Sequence, residues 1–206
     1  MIKFHSLLKS VLCGLCMTVF GIAFAAPGVF TTTTQDGRIV TITIISDDII
    51  KVSNTSAEEE VPVSRSVILA PTDFAGEAMA VGGKQIVTTA TGVVATLDNA
   101  TGAVTITSGE NRAIADNGER TFVDGKRAMS LSTMGVGSFY GAGERGFSYN
   151  LSGDTLVMYN KQTYGYKKGE SRIKQMNITM PLFISSNGYA VLFDDFSAAE
   201  MIMENP

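Results

Sequence analysis

Apolar and polar residues alternate in short runs from residue 29 onward, and Gly, Asn, Asp and Ser separate these runs. A period of two in runs rich in Val, Ile and Thr predicts β-strands, and the residues between the runs predict turns. Short strands separated by turns, with no sustained helical period, predict an all-β fold of the antiparallel β-sandwich type. The predicted strands before residue 110 are RIVTITII (38–45), IIKVSN (49–54), SVILAP (66–71), KQIVTTA (84–90), GVVATLD (92–98) and AVTITS (103–108).

Two pairs of runs predict β-hairpins, because a short polar turn that contains Gly joins the two runs of each pair. The last two runs named above flank Asn99-Ala100-Thr101-Gly102. Farther along the chain, the runs at 182–185 and 189–193 flank Ser186-Asn187-Gly188. Such turns place Gly where the backbone of a tight connection needs a positive φ.

Three other segments lack the alternation that predicts strands. The acidic patch AEEE (57–60) predicts a solvated bend, and the polar segment ENRAIADNGERT (110–121) predicts a long hairpin loop. Only SAAEMIMENP (197–206) has a spacing that predicts the beginning of a short helix.

The N-terminus has the features of a secretory signal peptide. Lys3 and Lys9 precede an uncharged apolar run of 14 residues (11–24), which closes on the cleavage motif Ala23-Phe24-Ala25. This run is shorter than the roughly 20 residues of a membrane-spanning helix. We therefore expect residues 1–25 to be removed and residues 26–206 to form one domain. We expect that domain to be exported to the periplasm or the extracellular space and not to be held in a membrane.

Removal of residues 1–25 leaves a chain without cysteine or histidine, because Cys13, Cys16 and His5 all lie in the signal peptide. Disulfides, cysteine nucleophiles, His-based triads and the usual zinc sites each require one of these residues. The remaining chain has 14 Lys and Arg against 20 Asp and Glu, a net charge of −6, with no block of basic residues. The sequence therefore predicts no metal, no cofactor and no nucleic-acid partner.

The segment FYGAGER (139–145) combines two glycines with an acidic and a basic residue. Phe139 and Tyr140 are expected to end a strand, and the glycines allow the backbone to turn sharply or to approach another segment closely. The segment is not a dinucleotide fingerprint, since the third glycine and the helix of that motif are missing. From these residues alone, a strand end with an ion pair between Glu144 and Arg145 is also consistent with the pattern.

A tyrosine-rich polar run, LVMYNKQTYGYKKGESR (156–172), follows this segment. Aromatic faces beside amide and ammonium donors suit a sugar, whose C–H faces stack on rings and whose hydroxyls need directional partners. A polar hairpin with half-buried tyrosines has the same composition, so composition leaves both interpretations open.

The order of three pieces resembles the N-terminal β-sandwich domain of glycoside hydrolase family 31. These pieces are FYGAGER, the aromatic-Asn-Lys core Tyr159-Asn160-Lys161, and the hairpin MPLFISSNGYAVLFDD (180–195). The resemblance is strong over residues 139–195, and before them only the strand-rich character is similar. It implies a galactose mutarotase-like sandwich that packs against a following (β/α)8 barrel in α-glucosidases, α-xylosidases and α-transglucosylases.

The resemblance also implies where the chemistry of such an enzyme lies. Retaining glycosidases need two carboxylates about 5 to 5.5 Å apart, and in the family both are aspartates of the barrel, which takes about 250 residues. Only 11 residues follow Asp195 in this sequence. Asp194 and Asp195 are adjacent, so their side chains would point to opposite faces of a strand. We therefore expect no catalytic residue in this chain, which would be truncated before the barrel and inert alone.

The same resemblance assigns a sugar-contacting loop to residues 160–166. Several family members carry an Asp where this chain has Gln162, and a Gln can exchange hydrogen bonds but carries no charge. The residues implied to contact an α-linked oligosaccharide in the full-length enzyme are Asn160, Lys161, Gln162, Tyr164 and Tyr166.

Two other functions are compatible with a sandwich of this class. One is a free-standing exported carbohydrate-binding module. However, a self-contained module should end in a finished strand or a tail, and residues 197–206 instead suggest the start of a new element. The other is an aldose epimerase, which is disfavoured because acid/base work of that kind typically relies on His. The sequence therefore favours the N-terminal domain of a family 31 hydrolase.

Overall fold

The structure, a computed structural model, describes residues 28–57, 74–109, 113–123, 126–133, 137–162, 165, 167, 169–170, 173, 177–194 and 197–204. Within these residues the chain forms β-strands and turns, and no α-helix. The strands are β1 (Val29–Thr33), β2 (Arg38–Ser46), β3 (Ile49–Ser56), β4 (Glu77–Val81), β5 (Lys84–Thr88), β6 (Val93–Asp98), β7 (Val104–Ser108), β8 (Ala113–Asp116), β9 (Thr121–Val123), β10 (Lys126–Ala128), β11 (Leu131–Thr133), β12 (Phe139–Gly143), β13 (Thr155–Met158), β14 (Thr179–Ser185), β15 (Tyr189–Leu192) and β16 (Ala199–Ile202).

The described strands are joined in five antiparallel sheets. The largest has six strands in the order β11-β8-β7-β6-β5-β4, and a three-stranded sheet has the order β1-β2-β3. A second three-stranded sheet, β12-β14-β15, is called the β12 sheet below. The remaining pairs are β9 with β10 and β13 with β16.

The six-stranded sheet and the β1-β2-β3 sheet share one hydrophobic core. Strand β6 shows why: Val93, Ala95 and Leu97 are buried, while Val94 and Thr96 between them are only half-buried. This is the period of two that places alternate side chains on opposite faces of a sheet. Two antiparallel sheets that bury one face of each confirm the predicted sandwich. The buried residues of this core are Phe30, Val40, Ile42, Ile44, Val87, Ala95, Leu97 and Val104.

A second core lies between the β12 sheet and the β13–β16 pair. Phe183 of β14 is at its centre, with its ring 5.6 Å from that of Phe139 and 6.1 Å from that of Phe193. The Phe139–Phe183 contact is edge-to-face, a favourable aromatic arrangement. The buried members of this core are Phe139, Ala142, Leu151, Leu156, Met158, Phe183 and Met203.

Most of the strands that the alternation predicts are present at nearly the predicted bounds. Strands β2, β3, β5, β6 and β7 coincide with five of the six early runs. Both predicted hairpins form, since β6 pairs with β7 and β14 pairs with β15. The sixth run (66–71), the signal peptide (1–25) and residues 58–60 of the acidic patch lie outside the described residues.

Three predictions of local structure were wrong. Residues 113–116 form β8 rather than part of a loop, because they pair on one side with β7 and on the other with β11. The C-terminal segment begins no helix, because Ala199–Ile202 pairs with β13 as strand β16. Phe139 and Tyr140 begin a strand rather than end one, since β12 continues to Gly143.

Candidate functional site

Strand β12 carries an irregularity built from Gly141, Ala142 and Gly143. All three have positive φ, at 104°, 59° and 88°, and the register with β14 shifts between the two glycines. A Cβ at Gly141 would lie 2.8 Å from the carbonyl oxygen of Leu182, and one at Gly143 would overlap the carbonyl oxygen of Ile178. The glycines therefore permit close approach to β14, as the sequence predicted.

Arg145 follows this irregularity, and its side chain forms hydrogen bonds to both β12 and β13. Its Nε and Nη2 donate to the carbonyl oxygen of Ala142 (3.2 and 3.0 Å), and its Nη1 donates to the carbonyl oxygen of Val157 (3.1 Å). Nη2 also lies 3.3 Å from Met158 Sδ. Arg145 is half-buried, and this burial lowers the pKa of its guanidinium.

The predicted sugar-contacting loop begins where β13 ends. Asn160, Lys161 and Gln162 are consecutive and exposed. Asn160 is held in place, because the backbone N–H and the hydroxyl of Thr179 both donate to its Oδ1 (2.6 and 2.7 Å). Tyr164 and Tyr166 lie outside the described residues. The structure thus brings three of the five predicted residues together, and their contact with sugar stays a prediction.

Tyr159 and Asn160 line an open groove of about 1600 Å³. Other parts of its wall are Met129, which follows β10, together with Phe139 of β12 and Glu200 of β16. Tyr159 is 57% exposed and presents a ring beside the predicted residues. It was not among the residues expected to bind, although it directly precedes Asn160 in the aromatic-Asn-Lys core. Thr179 could not be found from local sequence, because it is 19 residues away from Asn160.

Of the acidic residues considered in the sequence, Asp194 pairs with a lysine through its side chain, and Glu144 is held through its backbone. Asp194 Oδ2 is 3.5 Å from Lys51 Nζ. The backbone N–H of Glu144 donates to the carbonyl oxygen of Ile178 (2.8 Å). Asp195 lies outside the described residues.

Within the part of the chain that the structure describes, no three His, Cys, Asp or Glu residues are grouped so that they could hold a metal ion. Among the same residues, none belongs to a helix with the length and hydrophobicity of a membrane span.

Comparisons with known proteins agree on one family. Residues 39–201 match the family model described as the glycosyl hydrolase 31 N-terminal galactose mutarotase-like domain. A comparison with curated protein sequences found no significant match.

Among solved structures, the chain is similar to a GH31 dextranase of Flavobacterium johnsoniae complexed with glucose, with 17% identity and a TM-score of 0.71. A mutant of that dextranase complexed with isomaltotriose gives 17% identity and a TM-score of 0.70. These alignments cover 86% of this chain and 23% of the dextranase. A GH31 α-xylosidase of Xanthomonas citri is 20% identical with a TM-score of 0.63, over 85% of this chain and 19% of the xylosidase. At these identities the likeness shows the fold, and the chain spans about a fifth of the length of these enzymes.

Proposed function

The chain belongs to the family of glycosyl hydrolase 31 N-terminal galactose mutarotase-like domains, and from this membership we propose that it acts as the carbohydrate-binding and scaffold domain of an exported α-glycoside hydrolase. In this proposal the domain contributes part of a sugar subsite and no catalytic carboxylate. Export rests on the sequence of residues 1–25 alone.

The observation that carries the proposal is that Tyr159 and Asn160 line the groove and that the exposed residues Lys161 and Gln162 follow them directly. An exposed tyrosine ring is followed by an amide, an ammonium group and a second amide. A ring can stack on the C–H face of a sugar, and the polar groups that follow can exchange hydrogen bonds with its hydroxyls. The Oδ1 of Asn160 is occupied by Thr179, but its Nδ2 donates no hydrogen bond to any described residue. Asn160 is therefore anchored through one atom and can donate to a ligand through the other.

The chemistry of hydrolysis is assigned to the remainder of such an enzyme. Retaining hydrolysis needs two carboxylates about 5 to 5.5 Å apart on either side of the glycosidic bond. Of the acidic residues considered from the sequence, Asp194 lies beside a lysine, and Glu144 follows the irregularity of β12. We expect the purified chain to release no aryl alcohol from aryl α-glucosides or α-xylosides, and turnover above the blank would contradict this assignment.

A titration of the chain with isomaltotriose tests the proposed subsite. The trisaccharide is chosen because it is bound in the mutant dextranase named above. A site that lacks part of its wall should bind weakly, with a Kd of about 1 mM or higher, which corresponds to roughly −4 kcal/mol or less favourable. We expect NMR chemical-shift changes centred on residues 159–162, and we expect Gln162→Ala and Tyr159→Ala to reduce them.

The control is Lys167→Ala, which removes an exposed side chain of the same polar run outside residues 159–162 and should leave the shift changes as in the wild type. Shift changes that are absent at 50-fold excess of sugar over about 1 mM protein, or that centre on the six-stranded sheet, would contradict the proposed subsite. A micromolar Kd would instead favour the free-standing carbohydrate-binding module, because such a module needs no second wall.

A further inference from the structure

Residues 141–146, called here the β12 turn segment, contact the chain before and after the predicted sugar-contacting loop (160–166), which is called the candidate loop below. Before the loop, Arg145 donates to the carbonyl oxygen of Val157 (3.1 Å) and approaches Met158 Sδ (3.3 Å). After it, the N–H of Glu144 donates to the carbonyl oxygen of Ile178 (2.8 Å), and the N–H of Gly146 donates to that of Ile173 (3.0 Å). Strand β13 before the loop and residues 173 and 178 after it therefore contact the same short segment.

Ala142 explains how this segment holds Arg145. Its φ of 59° places a non-glycine residue in the left-handed region, and its side chain is buried in the second core. An L-residue in this conformation costs of order 1–2 kcal/mol, so the surrounding packing must over-determine it. In this conformation the carbonyl oxygen of Ala142 accepts from both Nε and Nη2 of Arg145. The guanidinium is thus oriented by one carbonyl and presents its remaining donors to β13.

A second contact fixes the first residue of the loop. Thr179 begins β14 and donates both its N–H and its hydroxyl to Asn160 Oδ1. Gly143 pairs with Thr179 in the register between β12 and β14. Thr179 and Arg145 therefore both lie next to the pairing of Gly143 with Thr179, and together they contact Val157, Met158 and Asn160.

We infer that Arg145 and Thr179 are positioning residues that hold residues 159–162, of which Tyr159 and Asn160 line the groove, and that this is why FYGAGER, the aromatic-Asn-Lys core and the β14–β15 hairpin occur together in one chain. Neither residue is assigned a contact with sugar. The positioning role of Arg145 and Thr179 follows from the contacts given above, and only its consequence for ligand binding rests on the proposed function. The fork of Arg145 reaches one carbonyl through Nε and Nη2 and a second strand through Nη1, which a lysine ammonium cannot reproduce.

Backbone order parameters from NMR relaxation test the inference, because they report on the loop separately from global stability. A rigid backbone gives values near 0.85, and a flexible one gives values below about 0.6. We expect residues 159–162 to change from rigid to flexible in Arg145→Met, and Arg145→Lys to restore order only in part. Thr179→Val removes one of the two donors to Asn160 and should give a smaller loss of order, centred on Asn160.

Arg120→Met is the matched control, because Arg120 pairs with Asp116 (2.6 Å) in a different part of the fold. It should lower the melting temperature and leave the order of residues 159–162 unchanged. If Arg145→Met lowers the melting temperature but leaves the loop rigid, Arg145 is merely structural and the inference is overturned. If Arg145→Met does not fold, Arg145→Lys and Thr179→Val carry the same test.

Titration of the same samples with isomaltotriose separates this inference from the proposed function. Loss of loop order together with loss of the isomaltotriose shift changes supports both. Loss of order in a protein whose wild type shows no shift changes supports the positioning role and contradicts the proposed subsite. Unchanged order with normal shift changes contradicts the positioning role and leaves the subsite supported.

Discussion

At the scale of single residues, the side chain of Arg38 connects several separate parts of the chain. Its Nε donates to Asp36 Oδ2 (2.7 Å), its Nη1 donates to Asn54 Oδ1 (3.3 Å) and to the carbonyl oxygen of Gly118, and its Nη2 donates to that of Thr101 (3.0 Å). These partners belong to four separate parts of the chain. The planar guanidinium suits this role because it presents several donors in fixed directions.

The Asp36 carboxylate should make the stability of the protein depend on pH in the acid range. Hydrogen bonds from Arg38 and Thr34 lower the pKa of Asp36 from 3.8 to about 2. A carboxyl with a depressed pKa stabilises the fold above its unfolded pKa, and this contribution is lost as the pH falls through the folded pKa. We expect Asp36→Asn to flatten the decrease in the free energy of unfolding between pH 4 and pH 2, measured by urea unfolding.

Some of that decrease should remain in Asp36→Asn. Hydrogen bonds from Thr101 and Ala100 lower the pKa of Asp98 as well, so Asp98 contributes with the same sign. Parallel curves for the wild type and Asp36→Asn down to pH 2 would show that the Arg38–Asp36 contact has no thermodynamic effect.

At the scale of strands, β14 places neighbouring residues in opposite environments. Phe183 is 5% exposed and packs in the second core, whereas Ile184 is 49% exposed on the outer face of the β12 sheet. We expect Phe183→Ala to lower the free energy of unfolding by about 3–5 kcal/mol, because it leaves a cavity among aromatic rings. Ile184→Ala should cost less than about 1 kcal/mol, because much of its side chain is already in water.

Guanidinium unfolding of the two variants under identical conditions measures this difference. The pair is its own control, since both changes remove large apolar side chains from adjacent positions of one strand. Equal losses of stability would mean that the outer face of the β12 sheet is as well packed as the core.

The strands that could be predicted from sequence are those in which burial alternates. Strand β2 buries Val40, Ile42 and Ile44, and the same alternation is visible in its sequence. Strands β8 and β16 could not be predicted, because β8 lies in a polar segment and β16 lies in a segment with helical spacing. Each is identified by its pairing partners. The candidate loop was located through its resemblance to a family. The anchor of Asn160 on Thr179 depends on tertiary contact and has no local signal.

At the scale of the whole molecule, large apolar side chains remain exposed on the outer face of the β12 sheet, among them Tyr140, Ile184 and Leu192. Within the described residues, the outer face of the β12 sheet carries apolar side chains and no charge. Cross-strand pairs place Tyr140 beside Ile184, and Leu182 beside Leu192. Exposed apolar patches of this kind promote association in proteins that are not protected by a partner surface. We therefore expect the solubility of the chain expressed by itself to be limited by self-association as well as by its intrinsic stability.

A charge introduced into this face tests that expectation. We expect the wild-type chain to self-associate as its concentration rises, and Ile184→Lys to raise the concentration at which association begins by at least about tenfold, equivalent to about 1.4 kcal/mol. Thr105→Lys adds the same charge at an exposed position of β7, outside the β12 sheet, and should leave association unchanged. Light scattering coupled to size exclusion gives the molar mass of all three proteins. If association proceeded through the β12 sheet, Ile184→Lys would bury a lysine in an apolar contact, which carries a cost. Equal masses for the wild type and Ile184→Lys at every concentration would therefore show that association does not proceed through the β12 sheet.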